Sequence, residues 1–171
     1  MAISGSCITA CGTSRVFRQK LDMEVVLNAT LAGGVAVGSA SDLVVTGGTA
    51  MLIGSIAGII SAIGFLKIGP FLQEKIALHD TCGVHNLHGI PGVLAGVIGA
   101  ISASLADDAF GNEETLGNTF AAIADEGRTT SEQGWMQLAA LGCSLGIAIL
   151  GGIISGFLSS RFGAIDKLFD D

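Results

Sequence analysis

Charged residues, proline and tyrosine are all scarce in this sequence. Charged side chains make up 13% of the 171 residues, there are 2 prolines and no tyrosine, whereas hydrophobic residues make up 50%. A disordered chain is excluded, because disorder needs low hydrophobicity and high charge. Basic residues are scarcer than acidic ones, 8 against 15. The resulting net charge of −7 excludes a protein that binds the phosphates of nucleic acid.

Cysteine is also infrequent, and its spacing indicates neither a disulfide framework nor a zinc site. The 4 cysteines are scattered along the chain. Cys7 and Cys11 form a C-x-x-x-C pair, but there is no second pair to complete a zinc site. The sequence contains no nucleophile–base pair and no cofactor motif, so it does not indicate an enzyme. With a mean hydropathy of +0.67, what remains is a membrane protein.

Long apolar runs predict an all-α fold, a polytopic bundle of transmembrane helices. A membrane-spanning helix needs roughly 20 mostly apolar residues. Four runs meet this requirement, at 25–45, 48–66, 81–105 and 134–160. Residues 1–14 are also apolar but stop at Arg15, which is too short a run to cross a bilayer. They are either an interfacial N-terminus or the end of a fifth helix that begins upstream.

The distribution of basic residues predicts the orientation of these spans. Of the 8 basic residues, only Arg128 lies in the loop 106–133, together with seven acidic residues. The others lie on the opposite side of a four-span zigzag. Because basic residues concentrate in cytoplasmic segments, we expect the tail 161–171 to be cytoplasmic and the acidic loop 106–133 to be outside.

Pairs of glycines one helical turn apart recur in the spans. Small residues at this spacing let helix backbones approach closely inside a bilayer, so they predict a tightly packed bundle. The pairs are Gly34–Gly38, Gly54–Gly58, Gly92–Gly96, Gly142–Gly146 and Gly152–Gly156.

The third span carries histidines near its start, and these are the candidate functional residues. His85 and His88 lie three residues apart, a spacing that places them on one face of an α-helix. A buried histidine can be purely structural, and an i,i+3 pair can bind a metal, but the sequence supplies no further ligands beyond His79. Ionisable groups inside a bilayer are costly and indicate function by default. A neutral imidazole offers one donor and one acceptor, which suits a small polar neutral molecule.

Two residues that flank the histidines shape the local backbone. Asp80 is a natural helix N-cap. Pro91 lacks an N–H, so we expect it to leave a carbonyl without its helical donor one turn earlier, at about Leu87.

At these residues the sequence resembles a known family. The segment Asp80–Gly92, D-T-C-G-V-H-N-L-H-G-I-P-G, is similar to the signature of the Rh glycoproteins, the Rh branch of the ammonium transporter family. The resemblance extends from Arg15 to Ser160. It also includes the segments Lys20–Met23, Asn28–Gly38, Gly58–Ser61 and Gly69–Leu72.

The resemblance implies a larger trimeric bundle in the plasma membrane, with one ammonia-conducting pore in each subunit and no cofactor or metal. It implies that two pore histidines come from different helices and that His88 matches the second of them. His85, Asn86 and Leu87 are carried over only as its neighbours. The first pore histidine of the family would lie upstream, so we expect this chain to be the C-terminal portion and 1–14 to be the end of a truncated helix.

The implied function is transport of ammonia or ammonium, with the lipid bilayer and other Rh subunits as partners. Asp22 and Asp80 would lie near the cytoplasmic mouth, either as proton-relaying acids or as plain exposed carboxylates. The alternatives are a non-conducting structural Rh-like subunit and permeation by carbon dioxide or another neutral gas. A proton-carrying rotor proteolipid is disfavoured, because the only acid within a span, Asp42, lies near its end.

Overall fold

An all-α fold is confirmed in a computed structural model, which describes residues 1–43, 46–80, 82–106 and 113–162. Two π-helical turns, Gly64–Ile68 and His85–Gly89, interrupt or precede α-helices. A short 3-10 turn, Ser160–Phe162, follows the last helix. The α-helices are α1 (Ala2–Arg18), α2 (Met23–Gly38), α3 (Gly47–Ile63), α4 (Gly69–Ile76), α5 (Ile90–Ser104), α6 (Glu113–Thr119), α7 (Ala121–Glu126) and α8 (Thr130–Ser159).

Among the described residues, three helical stretches are long and apolar enough to cross a membrane. They are Gly47–Ile76, His85–Ser104 and Thr130–Phe162, and they overlap the runs at 48–66, 81–105 and 134–160. The first of them is longer than its apolar run, because Lys67 and Pro70 do not end the helix. Gly69 donates its N–H to the carbonyl of Gly64, five residues back, and this π turn admits Pro70 at the start of α4.

The run at 25–45 does not form a helix of that length. Helix α2 has 16 residues and ends at Gly38, so it is about 24 Å long, less than the roughly 30 Å hydrocarbon core of a bilayer. The reason is a series of turns after Gly38, in which Ala40 donates its N–H to Val37 and Leu43 donates to Ala40. The Ser41 hydroxyl donates to the Gly38 carbonyl. Such local hydroxyl bonds compete with helix continuation.

Helix α1 includes the apolar N-terminal residues and extends past them. It continues through Arg15 and ends at Gln19, whose φ of 60° is left-handed and whose N–H donates to the Arg15 carbonyl. At the other end of the bundle, α8 begins at Thr130 because of a capping box. The Thr129 hydroxyl accepts from the Glu132 N–H, and the Glu132 carboxylate accepts from the Thr129 N–H.

Helices α1, α2 and α3 pack together through small residues. A Cβ on Gly54 would overlap the Ala2 backbone, and one on Gly58 would lie 2.5 Å from the Ser6 carbonyl oxygen. The buried Ser6 hydroxyl donates to the Ala29 carbonyl at 2.5 Å, so a hydroxyl also joins α1 to α2. This Gly54–Gly58 pair therefore packs tightly, as its spacing predicts.

The two glycine pairs of α8 behave differently. Within the described part of the chain, a Cβ on Gly142, Gly146, Gly152 or Gly156 would meet no neighbouring atom within 4 Å. Helix α8 contacts α5 near its start, where Gly134 lies against Ser104 and Leu141 lies over Gly96. Beyond Leu141, every residue of α8 except the half-buried Gly146 is exposed, so the apolar face there is unpacked within the described part of the chain.

The directions of the helices place most of the basic side chains at one end of the bundle. Phe17, at the end of α1, contacts Lys67, which lies 5.6 Å from its ring centroid. The start of α2 lies beside them, since the Ser14 hydroxyl accepts from the Asp22 N–H. Arg128 lies at the opposite end, before α8. The cytoplasmic assignment of the basic end stays a prediction.

Candidate functional site

The candidate histidines lie on a π-helical turn that is capped by an acid. The turn spans His85–Gly89. Asp80 accepts the N–H of Val84 with one carboxylate oxygen and the N–H of His85 with the other, each at 2.8 Å. Asp80 therefore caps the helix as expected, although it lies four residues before Val84, the first helical residue, and not at the N-cap position itself.

One carbonyl in this turn has lost both of its helical donors. In an α-helix the Ile90 N–H would donate to the Asn86 carbonyl, but here it donates to His85. The residue at the i+5 position is Pro91, which has no N–H. The Ser61 hydroxyl of α3 donates to the Asn86 carbonyl instead, at 2.8 Å.

The structure adds to the sequence-based expectation of a carbonyl freed at about Leu87. The α-helical donor of the Leu87 carbonyl would be Pro91, which has no N–H, and the π turn also takes the Ile90 N–H away from the Asn86 carbonyl. The Asn86 carbonyl accepts from Ser61.

The Asn86 side chain fills the space between the two π turns. It is 3% exposed. A Cβ on Gly64 would lie 2.5 Å from its Oδ1, and a Cβ on Gly69 would lie 3.3 Å from its Nδ2. A side chain at Gly64 would collide with the amide and one at Gly69 would crowd it, so the turns at Gly64–Ile68 and His85–Gly89 are packed against each other.

The two histidines have different surroundings. His85 is half-buried, and its Nδ1 lies 3.3 Å from the Asn86 Oδ1. An amide oxygen only accepts, so this contact favours the Nδ1–H tautomer. His88 is exposed, whereas Asn86 and Leu87 are buried.

The expectation that His85 and His88 share one helix face therefore needs correction. A π turn contains one more residue than an α turn, so residues three apart diverge further around the axis.

Asp22 is also a helix cap. Its carboxylate accepts from the Val25 N–H at 3.5 Å at the start of α2, and it lies 3.9 Å from the Arg18 Nε. Neither Asp22 nor Asp80 is thus a plain exposed carboxylate, because each holds the start of a helix that the site depends on. Their role as proton-relaying acids stays a prediction.

Sequence reasoning missed Ser61, Gly64 and Gly69 as parts of the site. The sequence signal for the two π turns is a glycine followed within two residues by a proline inside an apolar run. This pattern occurs twice, at Gly69–Pro70 and at Gly89–Pro91. Among the described residues, no three His, Cys, Asp or Glu side chains come together as metal ligands.

Nearly the whole chain is similar to known proteins. Residues 1–166 match the model of the Ammonium Transporter Family. The chain is 47% identical over 140 residues to the ammonium transporter Rh type B of Takifugu rubripes, covering 81% of this chain and 30% of that protein. It is 41% identical over 160 residues to the ammonium transporter Rh type C of Xenopus laevis, covering 91% of this chain and 33% of that protein.

A solved structure is also similar. The structure of Nitrosomonas europaea Rh50, presented with a mechanism of conduction by the Rhesus protein family of channels, matches with a TM-score of 0.72 and 34% identity. The match covers 96% of this chain and 36% of that one. The chain thus spans about a third of the length of these relatives.

Proposed function

The chain belongs to the Rh branch of the Ammonium Transporter Family, and from this we propose that it forms the C-terminal portion of a channel that conducts ammonia. It is part of an integral membrane protein, and the relatives that it matches are transporters and channels. We propose that the pore histidine of this portion is His88.

The observation that supports this role is the exposure of His88 on a membrane-length helix. His85–Ser104 is long enough to span a bilayer, and His88 is exposed while its neighbours Asn86 and Leu87 are buried. An ionisable side chain within a span faces a bundle interior or a water-filled cavity, not lipid. We infer that His88 faces the wall of the pore that other helices of the full protein contribute.

A neutral imidazole in such a passage selects for ammonia over ammonium. The lone pair of ammonia can accept from the N–H of the His88 ring, and an N–H of ammonia can donate to the other ring nitrogen. A cation at the bilayer centre has a penalty of at least ~2.5–3.5 kcal/mol, which disfavours ammonium, sodium and potassium. Ammonium therefore gives its proton to water at the entrance, ammonia crosses, and ammonia takes a proton from water at the exit.

The neighbours of His88 have supporting roles in this proposal. Asn86 and Leu87 anchor the turn on its packed side, and the half-buried His85 lies beside Asn86. Asp22 and Asp80 hold helix starts at the basic end of the bundle, which we propose is cytoplasmic. The exposed apolar face of α8 fits burial against the rest of the channel, in a homotrimer of the plasma membrane.

The test is ammonia flux through the full-length parent protein in proteoliposomes, measured by the change in internal pH in a stopped-flow instrument. We expect His88→Ala to lower the flux about fivefold or more, because one lost hydrogen bond is worth about 1 kcal/mol. The matched control is His79→Ala, since His79 is exposed and precedes the capping Asp80. Its flux is expected to equal that of the unchanged protein.

Three results would redirect the proposal. Equal flux through His88→Ala and His79→Ala would reject the pore role of His88. A parent protein that conducts no more than empty lipid would favour the structural-subunit alternative. Carbon dioxide flux that falls with His88→Ala while ammonia flux does not would favour permeation by another neutral gas.

A further inference from the structure

We propose that Ser61 is a positioning residue for the pore histidine, because its hydroxyl bond to the Asn86 carbonyl holds the π turn that aims His88. The inference rests on the proposed function of His88. It concerns a buried residue of a different helix, α3.

The first step is that the π turn needs an external donor. The Ile90 N–H is committed to His85, and Pro91 has no N–H, so no backbone group at the i+4 or i+5 position satisfies the Asn86 carbonyl. An unsatisfied buried carbonyl is costly. Ser61, which is fully buried at 0% exposure, supplies the missing donor at 2.8 Å.

The second step is that the side chain of Asn86 is held in place as well as its carbonyl. The Asn86 amide lies between Gly64 and Gly69 of the facing π turn, where a side chain at either glycine would collide with it or crowd it. Ser61 comes just before that turn on the same helix. The backbone and the side chain of Asn86 are therefore both fixed by the segment Ser61–Gly69.

The third step connects this anchor to His88. His88 is exposed, so the direction of its ring depends on the backbone of the turn rather than on side-chain packing within the described helices. Without the Ser61 hydroxyl, the Ile90 N–H is drawn back from His85 toward Asn86, which restores α-helical pairing at that point. The bulge then moves along the helix and the His88 ring turns away from its position.

The experiment compares serine variants in the full-length parent protein. Ser61→Ala removes the donor, Ser61→Thr keeps a hydroxyl, and Ser61→Cys keeps a weak donor of nearly the same shape. The matched control is Ser6→Ala, because Ser6 is also buried and also donates to a carbonyl of another helix, that of Ala29. The readouts are ammonia flux and the ¹⁵N chemical shifts of the His88 ring, assigned by their loss in His88→Ala.

We expect Ser61→Ala to lower ammonia flux about fivefold, the effect of one net hydrogen bond, and to move the His88 ring shifts. Ser61→Thr is expected to keep the flux and the His88 shifts of the unchanged protein, and Ser61→Cys to give intermediate values. If the alanine variant does not assemble, Ser61→Cys takes its place in the comparison. Ser6→Ala lowers thermal stability but leaves the His88 shifts in place. These results together would support a positioning role, since general destabilisation does not account for them.

The proposal is overturned if Ser61→Ala and Ser61→Cys leave the His88 shifts unchanged, or if Ser6→Ala moves them as much. In that case a loss of flux in His88→Ala would still uphold the proposed function. If His88→Ala conducts normally, the proposed function itself fails, and the positioning role fails with it.

Discussion

Gly83 lies directly against the ring of Phe65, in a left-handed conformation with φ of 64°. A Cβ at this position would overlap ring atoms of Phe65. Two separate requirements therefore select glycine here, the backbone conformation and the approach of the ring. The contact joins the loop after Asp80 to the first π turn, Gly64–Ile68.

Gly83→Ala is expected to destabilise the protein more than Gly127→Ala. Gly127 has a similar φ of 67°, but within the described part of the chain no neighbouring atom would lie within 4 Å of its Cβ. Gly127→Ala thus carries only the conformational cost, about 1–2 kcal/mol, whereas Gly83→Ala adds a collision with Phe65. The melting temperature of the full-length parent in detergent measures both. Equal decreases would show that the ring moves aside without cost.

Asp80→Asn distinguishes a helix cap from a proton relay. Asparagine is as good a cap as aspartate, although it keeps only one of the two oxygens that accept from Val84 and His85. We expect Asp80→Asn to retain most of the ammonia flux at every pH and Asp80→Ala to lose about 1 kcal/mol of stability. If Asp80→Asn abolishes flux while the protein stays folded, a protonatable group is needed there and the cap is not its main role.

Gly54→Ala should weaken the packing of α1 on α3. The new methyl group would overlap the Ala2 backbone, and such overpacking costs typically ~1–3 kcal/mol. The control on the same helix is Gly48→Ala, whose Cβ would make only an ordinary contact at 3.8 Å with Thr46. Thermal unfolding of the parent protein compares the two. If Gly48→Ala lowers the melting temperature as much as Gly54→Ala does, the loss of glycine flexibility in the helix, and not contact with Ala2, causes the destabilisation.

The 171-residue chain alone is expected to conduct no ammonia above the lipid background. His88 is exposed, and α8 is largely unpacked beyond Leu141 within the described residues, so the proposed pore has no second wall in this segment. Proteoliposomes containing only this chain, assayed beside the full-length parent, provide the comparison. Measurable conduction by the chain alone would contradict the need for an opposing wall.

The sequence predicts the helices well and their ends poorly. Long apolar runs identify membrane helices because the bilayer requires length and hydrophobicity together. The end of α2 at Gly38 is hidden, because Ser39, Ala40 and Leu43 are apolar enough or small enough to continue the run while their turn bonds end the helix. Pro70 leads to the opposite mistake: it predicts that the helix ends there, whereas a π turn lets the helix continue through it.

The site could be found from the sequence, but its geometry could not. The segment around His88 is recognisable, and Asp80 has the residue type and spacing of a cap. The π turn depends on Ser61, which is 25 residues away in the sequence. The spacing of residues within one helix does not predict that contact. The folded structure was therefore needed to show that His85 and His88 diverge and that the Asn86 carbonyl accepts from Ser61.

Each π turn is equivalent to an α-helix that has gained one residue. Removing a single residue from His85–Gly89 would therefore let this turn narrow to regular α-helical pairing, while the residues beyond it keep nearly the same rotation about the axis, because the wider turn absorbs the extra residue. Leu94, Gly96 and Ile98 of α5 would keep their neighbours. A one-codon deletion would instead change the turn itself, where the Asn86 carbonyl and the His88 side chain would lose their present placement.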